Sequence, residues 1–117
     1  MDTEHTAIRA DLLRRRAETT AEITALEADL RSLFEASRSS NADDEHDPEG
    51  STIAFERAQL SAVLDAARRR LAELDEALNR VAAGGYGVCE RCSRPIPAER
   101  LAARPSARTC VACASHR

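Results

Sequence analysis

Residues 84–92 read Gly-Gly-Tyr-Gly-Val-Cys-Glu-Arg-Cys, and this stretch divides the chain into two kinds of structure. Three glycines in four positions permit positive φ and a tight reversal that a helix interior would not accept, so a preceding helix ends here. The pair Cys89 and Cys92 follows at once, with the two-residue spacing typical of metal ligands. We therefore predict helix before this stretch and a metal-binding module after it.

A second pair with the same spacing, Cys110 and Cys113, is separated from the first by 17 residues. Each pair can occupy one edge of a tetrahedron around Zn²⁺, so Cys89, Cys92, Cys110 and Cys113 predict one structural zinc site. Four thiolates leave no open coordination position, and the metal would supply folding energy rather than catalysis. A redox-active pair and an iron–sulfur cluster are the alternatives, which metal analysis would distinguish.

The sequence before the glycines has the periodicity of two long amphipathic helices. From Thr3 to about Arg38 no Gly or Pro interrupts the chain, which predicts the first helix. Its seam positions recur every seven residues, at Leu12, Thr19, Leu26 and Leu33. The second helix, which Ser51 or Thr52 can cap, continues to the glycines. Its heptad positions are Ile53, Leu60, Leu64, Ala67, Leu71, Leu74, Leu78 and Val81.

The segment at about 39–51 joins the two helices, and it contains a Pro and a Gly but no apolar period, which predicts a loop. Helices of similar length with a short connection fold back most simply as an antiparallel hairpin. The predicted fold class is mainly α: a long antiparallel two-helix coiled-coil hairpin over residues 1–83, followed by a small C-terminal four-cysteine zinc finger over 84–117. This hairpin favours a monomer over a parallel dimer of long helices, which Pro48 and Gly50 would interrupt.

Composition limits the kind of core that the chain can form. The 117 residues are 43% hydrophobic but include only two Phe, one Tyr and no Trp, which leaves little bulk for a globular core. No apolar run approaches the roughly 20 residues of a membrane span, and no secretory signal is evident. We therefore expect a soluble, cytoplasmic protein. In that reducing compartment, four clustered Cys are metal ligands rather than disulfide partners.

Charge is unevenly distributed along the sequence, although the net charge is only −3. Residues 41–50 carry 5 acids and no Arg, whereas residues 84–117 carry 2 acids and 6 Arg. The hairpin tip is therefore sharply acidic and the cysteine module is basic. The acids of the tip are Asp43, Asp44, Glu45, Asp47 and Glu49.

A longer pattern surrounds the cysteines: Gly85-Tyr86-Gly87-x-Cys89-x-x-Cys92, then Pro95-Ile96, Arg100-Leu101-x-Ala103-x-Pro105 and Cys110-x-x-Cys113. This pattern closely resembles the DksA/TraR family of bacterial C4 zinc-finger proteins. The resemblance implies a transcription regulator that binds RNA polymerase directly, with no DNA contact of its own. It further implies that the finger docks near the rim of the polymerase secondary channel while the hairpin tip enters the channel, often in concert with the alarmone ppGpp.

The best-known tip pattern of that family, Asp-x-x-Asp-x-Ala, is only partly present in this sequence. Alignment on Asp47 and Pro48 places Gly50 at the second Asp and Thr52 at the Ala, so Asp47 is the one residue carried over directly. Asp44 is a second candidate, because Asp44-x-x-Asp47 restores the spacing of the two carboxylates. Asp44 and Asp47 are therefore the predicted partner-binding residues. We assign no alarmone site, since the lysines that such a site would use are absent.

Two other functions fit the sequence less completely. A DNA-binding zinc-finger protein would use the basic module, but no recognition-type helix with Asn, Gln or Lys lies between the cysteine pairs. Arg100 and Arg104 belong to the family pattern, and we expect them partly to stabilise the cysteine module. The basic residues of the module are Arg91, Arg94, Arg100, Arg104 and Arg108.

The other alternative is a non-catalytic structural or interaction protein, which would need only the coiled coil and the cysteine module.

An enzyme is not expected from this sequence. It offers no open metal position, no nucleophile beside a plausible base, and no phosphate-binding Gly loop followed by Lys.

Overall fold

The computed structural model describes residues 2–40 and 48–115, and it describes side chains over 5–38 and 51–115. Within these residues there are four helices and no β-strand, and one isolated antiparallel bridge joins Val88 to Pro95. The mainly α fold class is therefore confirmed. The helices are α1 (Asp2–Ser40), α2 (Pro48–Ala83), α3 (Ala98–Ala103) and α4 (Val111–Ser115).

The seven-residue seam explains why α1 and α2 form and pair. Every seam position predicted in the two helices is buried or half-buried, whereas most positions between them are exposed. A stripe of this spacing lies along one face of a helix, so each helix removes the apolar face of the other from water. The most deeply buried residues of the two helices lie in the first half of α1 and the second half of α2, where Leu12 is 1% exposed and Ala67 and Ala77 are 0% exposed.

The predicted ends of the connecting loop are wrong on both sides. Helix α1 continues to Ser40, and α2 begins at Pro48 rather than after a cap at Ser51 or Thr52. Proline suits the first turn of a helix, because its φ is already helical and its missing N–H would have no partner there. The rest of the predicted loop, residues 41–47, lies outside the described residues.

Two compact units divide the chain, and both include segments of α1 and α2. The first unit consists of Met1–Ala17 and Leu71–Arg117, and the second consists of Glu18–Arg70. The division into a hairpin over 1–83 and a finger over 84–117 stays a prediction.

The first unit has a core in which one turn of α1 packs on the last turns of α2. Leu12, which is 1% exposed, is the largest fully buried side chain of this core. The His5 ring nitrogen Nε2 lies 2.8 Å from the carbonyl oxygen of Val81, so the start of α1 is joined to the end of α2. The core cluster comprises Leu12, Leu74, Ala77 and Val81, with Ile8, Leu78 and Tyr86 packed against it.

In the second unit, ion pairs connect α1 to α2 beside the apolar seam. Arg70 donates to Glu22 at 2.6 Å and Arg68 donates to Glu27 at 2.9 Å, and all four side chains remain substantially exposed. Exposed ion pairs of this kind contribute little to stability, but like-charge contacts in a shifted register would be unfavourable. Partner numbers on α2 fall as those on α1 rise, so the helices are antiparallel within this unit.

None of the described helices combines the length and the apolar character that a bilayer span requires.

The buried position of Leu12 generates a test of the fold. Leu12→Ala would remove a fully buried side chain and is expected to lower the free energy of unfolding by about 2–5 kcal/mol. The neighbouring residue Leu13, which is 40% exposed, supplies a matched control. Leu13→Ala is expected to change that free energy by less than about 1 kcal/mol. Urea denaturation followed by circular dichroism measures both values, and equal losses would contradict the described core.

Candidate metal centre

The glycine turn positions the cysteine module by ending α2 sharply. Gly84 has φ +87°, and its N–H donates to the carbonyl of Val81 at 3.2 Å, while the N–H of Gly85 donates to the carbonyl of Arg80 at 2.9 Å. These two bonds form a Schellman motif, in which a left-handed residue satisfies the last free carbonyls of a helix. Gly87 adds a second positive φ, +85°. The prediction that the glycines end the second helix is confirmed.

The first cysteine pair lies on a tight turn that closes on itself. The N–H of Cys89 donates to the carbonyl of Arg94 at 2.8 Å, and the N–H of Ser93 donates to the carbonyl of Cys89 at 3.0 Å. Ser93 has φ +63°, a left-handed conformation that lets the chain reverse directly after Cys92. Both thiols of the pair therefore project from one short reversal.

The second cysteine pair lies at the start of α4. The N–H of Ala114 donates to the carbonyl of Cys110 at 2.9 Å, which closes the first turn of this short helix and places Cys113 beside Cys110. One backbone bond connects the two pairs, because the N–H of Glu90 donates to the carbonyl of Arg108 at 2.9 Å. Turn and helix thus face each other across the cysteines.

The four sulfur atoms form one cluster. The Sγ atoms of Cys89, Cys92, Cys110 and Cys113 all lie within 4.8 Å of one another, and those of Cys92 and Cys110 are 3.8 Å apart. A tetrahedron with its centre about 2.3 Å from each sulfur has edges of about 3.8 Å. A disulfide would require about 2.0 Å, and all four cysteines are free. The set therefore fits a single tetrahedral metal ion.

Local hydrogen bonds shift the pKa values of three of these thiols. The backbone amide of Cys92 is the main cause that lowers the pKa of the Cys89 thiol to about 6. The backbone amide of Cys113 likewise lowers the pKa of Cys110. Hydrogen bonding with Cys110 raises the pKa of Cys113 to about 12, because this thiol holds a proton between neighbouring sulfur atoms. Backbone amides thus favour the thiolate, the form in which cysteine binds metals, at Cys89 and Cys110, whereas the proton is retained at Cys113.

Arginine side chains of the finger form bonds within the module and to the end of α2. Arg108 lies between two carboxylates: Nε donates to Glu90 at 2.9 Å and Nη1 donates to Glu76 at 3.2 Å. Arg91 donates to the carbonyl of Cys113 at 3.2 Å. The charge of Arg108 is thus paired with carboxylates, and one donor of Arg91 is used by a backbone carbonyl.

The predicted stabilising role in the cysteine module is confirmed for Arg100, which donates from Nε to the carbonyl of Thr109 at 2.8 Å. The side chain of Arg104 is exposed. Sequence reasoning missed two further donors to the same segment, Arg80 and Tyr86. Their residue types were visible, and Tyr86 is the only tyrosine of the chain, but nothing in the sequence indicated their acceptors.

The predicted tip residues Asp44 and Asp47 lie outside the described residues. The structure brings the four predicted metal ligands together, and the roles of the two tip residues stay predictions.

A closed centre of four thiols on a turn and a helix end, attached to paired helices, defines a C4-type zinc finger carried by a helical hairpin. Residues 84–116 match the prokaryotic dksA/traR C4-type zinc finger. This match confirms the resemblance drawn from the sequence.

Individual proteins of similar sequence include a DksA transcription factor. The chain is 39% identical over 72 residues to general stress protein 16O of Bacillus subtilis, covering 62% of this chain and 44% of that protein. It is 46% identical over 43 residues to the RNA polymerase-binding transcription factor DksA of Caulobacter vibrioides, covering 37% of this chain and 30% of that protein. These matches span less than half of the curated relatives' lengths.

A likeness in structure extends over nearly the whole chain. The transcription factor DksA2 from Pseudomonas aeruginosa superimposes with a TM-score of 0.81 at 28% identity, covering 96% of this chain and 81% of that one. The similarity therefore includes the long helices as well as the finger.

The sulfur geometry leads to a direct test of metal content. Cys113→Ser would remove one of four ligands, and bound zinc is expected to fall from about one per chain to well below that, as measured by elemental analysis. Ser93→Gly is the matched control, because glycine adopts the positive φ of that position freely, and it should keep its zinc. Full zinc content in Cys113→Ser would contradict the assignment, and iron with visible absorbance would favour a cluster instead.

Proposed function

We propose that this protein is a DksA-like transcription factor that binds RNA polymerase through protein contacts and acts in the cytoplasm without catalysing a reaction. The single observation that carries the proposal is the likeness to DksA2, which covers 96% of this chain and so includes both hairpin and finger. The Caulobacter relative, named as an RNA polymerase-binding transcription factor, supports the partner.

The finger has a structural role in this proposal. Cys89, Cys92, Cys110 and Cys113 would hold one Zn²⁺ in a closed site, which supplies folding energy and leaves no position for substrate. The cysteine module is small, so it needs such a crosslink to keep a defined surface. This surface would meet the polymerase.

Internal use of the arginines supports a protein partner over DNA. Phosphate-driven binding needs free cations, whereas Arg100 and Arg108 bond to a carbonyl and to two carboxylates of the chain. Binding to duplex DNA is therefore expected to be weak at moderate salt.

The acidic run at residues 41–50 is the proposed acting end. Its five acids and absence of arginine would draw it to basic side chains or a hydrated metal ion of the polymerase. By the family resemblance this tip enters the secondary channel, and Asp44 and Asp47 have the carboxylate spacing of the family pattern. No alarmone site is part of the proposal.

A binding experiment tests the partner. The tagged full-length protein is expected to retain purified RNA polymerase core enzyme at a defined salt concentration, and a labelled duplex should not be shifted under the same conditions. Loss of the polymerase signal would refute the proposal, and a steeply salt-dependent shift of the duplex would favour the DNA-binding alternative.

A pair of double variants tests the tip. Asp44→Ala with Asp47→Ala should leave polymerase affinity within about threefold, or less than about 0.7 kcal/mol, and abolish the effect on transcription from a short-lived open complex. Asp43→Ala with Glu45→Ala changes the same charge in the same segment and is expected to retain that effect. If both double variants lost the effect on transcription equally, the effect would depend on the net charge of the segment rather than on Asp44 and Asp47.

A further inference from the structure

The segment just before the second cysteine pair is bonded through its backbone carbonyls. Tyr86 Oη donates to the carbonyl of Pro105 at 2.7 Å. Arg80 donates to the next two carbonyls, from Nη2 to Ser106 at 3.2 Å and from Nη1 to Ala107 at 3.3 Å.

Arg100 completes the set by donating from Nε to the carbonyl of Thr109 at 2.8 Å, so four of the five carbonyls in 105–109 accept a side-chain bond. We call Arg80, Tyr86 and Arg100 the carbonyl clamp.

The clamp residues lie on parts of the fold that do not bind the metal. Arg80 is in the last turn of α2, Tyr86 is in the glycine turn, and Arg100 is in α3. Tyr86 packs against the core around Leu12, and the guanidinium of Arg80 lies 6.0 Å from the centre of its ring. The clamped residue Ala107 is itself buried. The segment is therefore attached to the hydrophobic core by contacts that require no metal.

Metal binding without such contacts would carry a large ordering cost. The two cysteine pairs are 17 residues apart, and bringing them together fixes the backbone of the intervening segment. The clamp ends at Thr109, the residue directly before Cys110. It therefore fixes the position from which the second pair approaches the first.

We propose that Arg80, Tyr86 and Arg100 are positioning residues that hold Cys110 and Cys113 within reach of the first pair before zinc binds. The proposal rests on the assignment of the cysteines as a zinc site. Zinc binding then needs to order only the two short turns that carry the cysteines. Its affinity is higher because residues 105–109 are already held in place. The bond from the N–H of Glu90 to the carbonyl of Arg108 reports on this arrangement, because it joins the two halves of the module.

Zinc affinity provides the first test. Tyr86→Phe and Arg100→Met each remove one clamp donor while keeping most of the apolar bulk, and each is expected to weaken zinc binding about tenfold in competition with a chromogenic chelator. Arg104→Met is the matched control, since its exposed side chain lies on the same stretch of chain, and its affinity should stay within about twofold of wild type. Wild-type affinity in both clamp variants would overturn the proposal.

Thermal unfolding of the metal-loaded proteins separates positioning from general stability. The helical signal of the clamp variants should melt within a few degrees of wild type, because the seam core is unchanged. A lowered melting temperature combined with unchanged zinc affinity would show that Tyr86 and Arg100 only stabilise the fold.

Hydrogen exchange without metal provides a readout that does not depend on zinc. In wild-type protein treated with chelator, the amide of Glu90 should stay protected, and the Tyr86→Phe, Arg100→Met double variant should lose that protection. Exchange as fast in wild-type as in the double variant would refute the clamp. If the wild-type protein bound no zinc at all, the metal assignment would fail, and this protection would still decide whether the clamp holds the two pairs together.

Discussion

Burial of small and medium apolar side chains between α1 and α2 is the interaction on which both compact units depend. Apolar burial contributes about 25 cal/mol for each Å² removed from water, so a chain with three aromatic residues must collect that area from many small contacts. A seam with fully buried alanines such as Ala67 and Ala77 lets the helix backbones approach closely, but each turn contributes little. Helices of 39 and 36 residues are the result, since only a long seam accumulates enough contact.

The features that repeat at a fixed spacing were predictable from sequence, because one physical rule determines each of them. Heptads identified both long helices, and two C-x₂-C pairs identified the sulfur cluster that the structure assembles. The start of α2 was misplaced because a proline was interpreted as a break, although proline is also well suited to a first helical turn. Sequence alone does not state which of these two roles a given proline has.

Contacts between an irregular segment and distant side chains were beyond the reach of sequence reasoning. The acceptors of Arg80 are backbone carbonyls 26 and 27 positions away, and any residue type offers such a carbonyl. Arginine suits this role because its fork of N–H donors spans two successive carbonyls, whereas an ammonium acts as a point charge. Arginine at position 80 thus has a structural use in this fold. The tip assignments, Asp44 and Asp47, rest on charge pattern and resemblance.

The unequal exposure of the four sulfur ligands has a consequence for how a metal enters and leaves. Cys89 is 1% exposed at the base of the cluster, whereas Cys92 is at the surface. Exchange of a thiolate-bound ion proceeds through mixed intermediates in which an incoming ligand replaces one sulfur at a time. Cys110 and Cys113 are half-buried, so a competing thiol would meet Cys92 most readily and Cys89 least readily. The tight turn closed by Ser93 thus places the two thiols of one C-x₂-C pair in different surroundings, one inside the module and one at its surface.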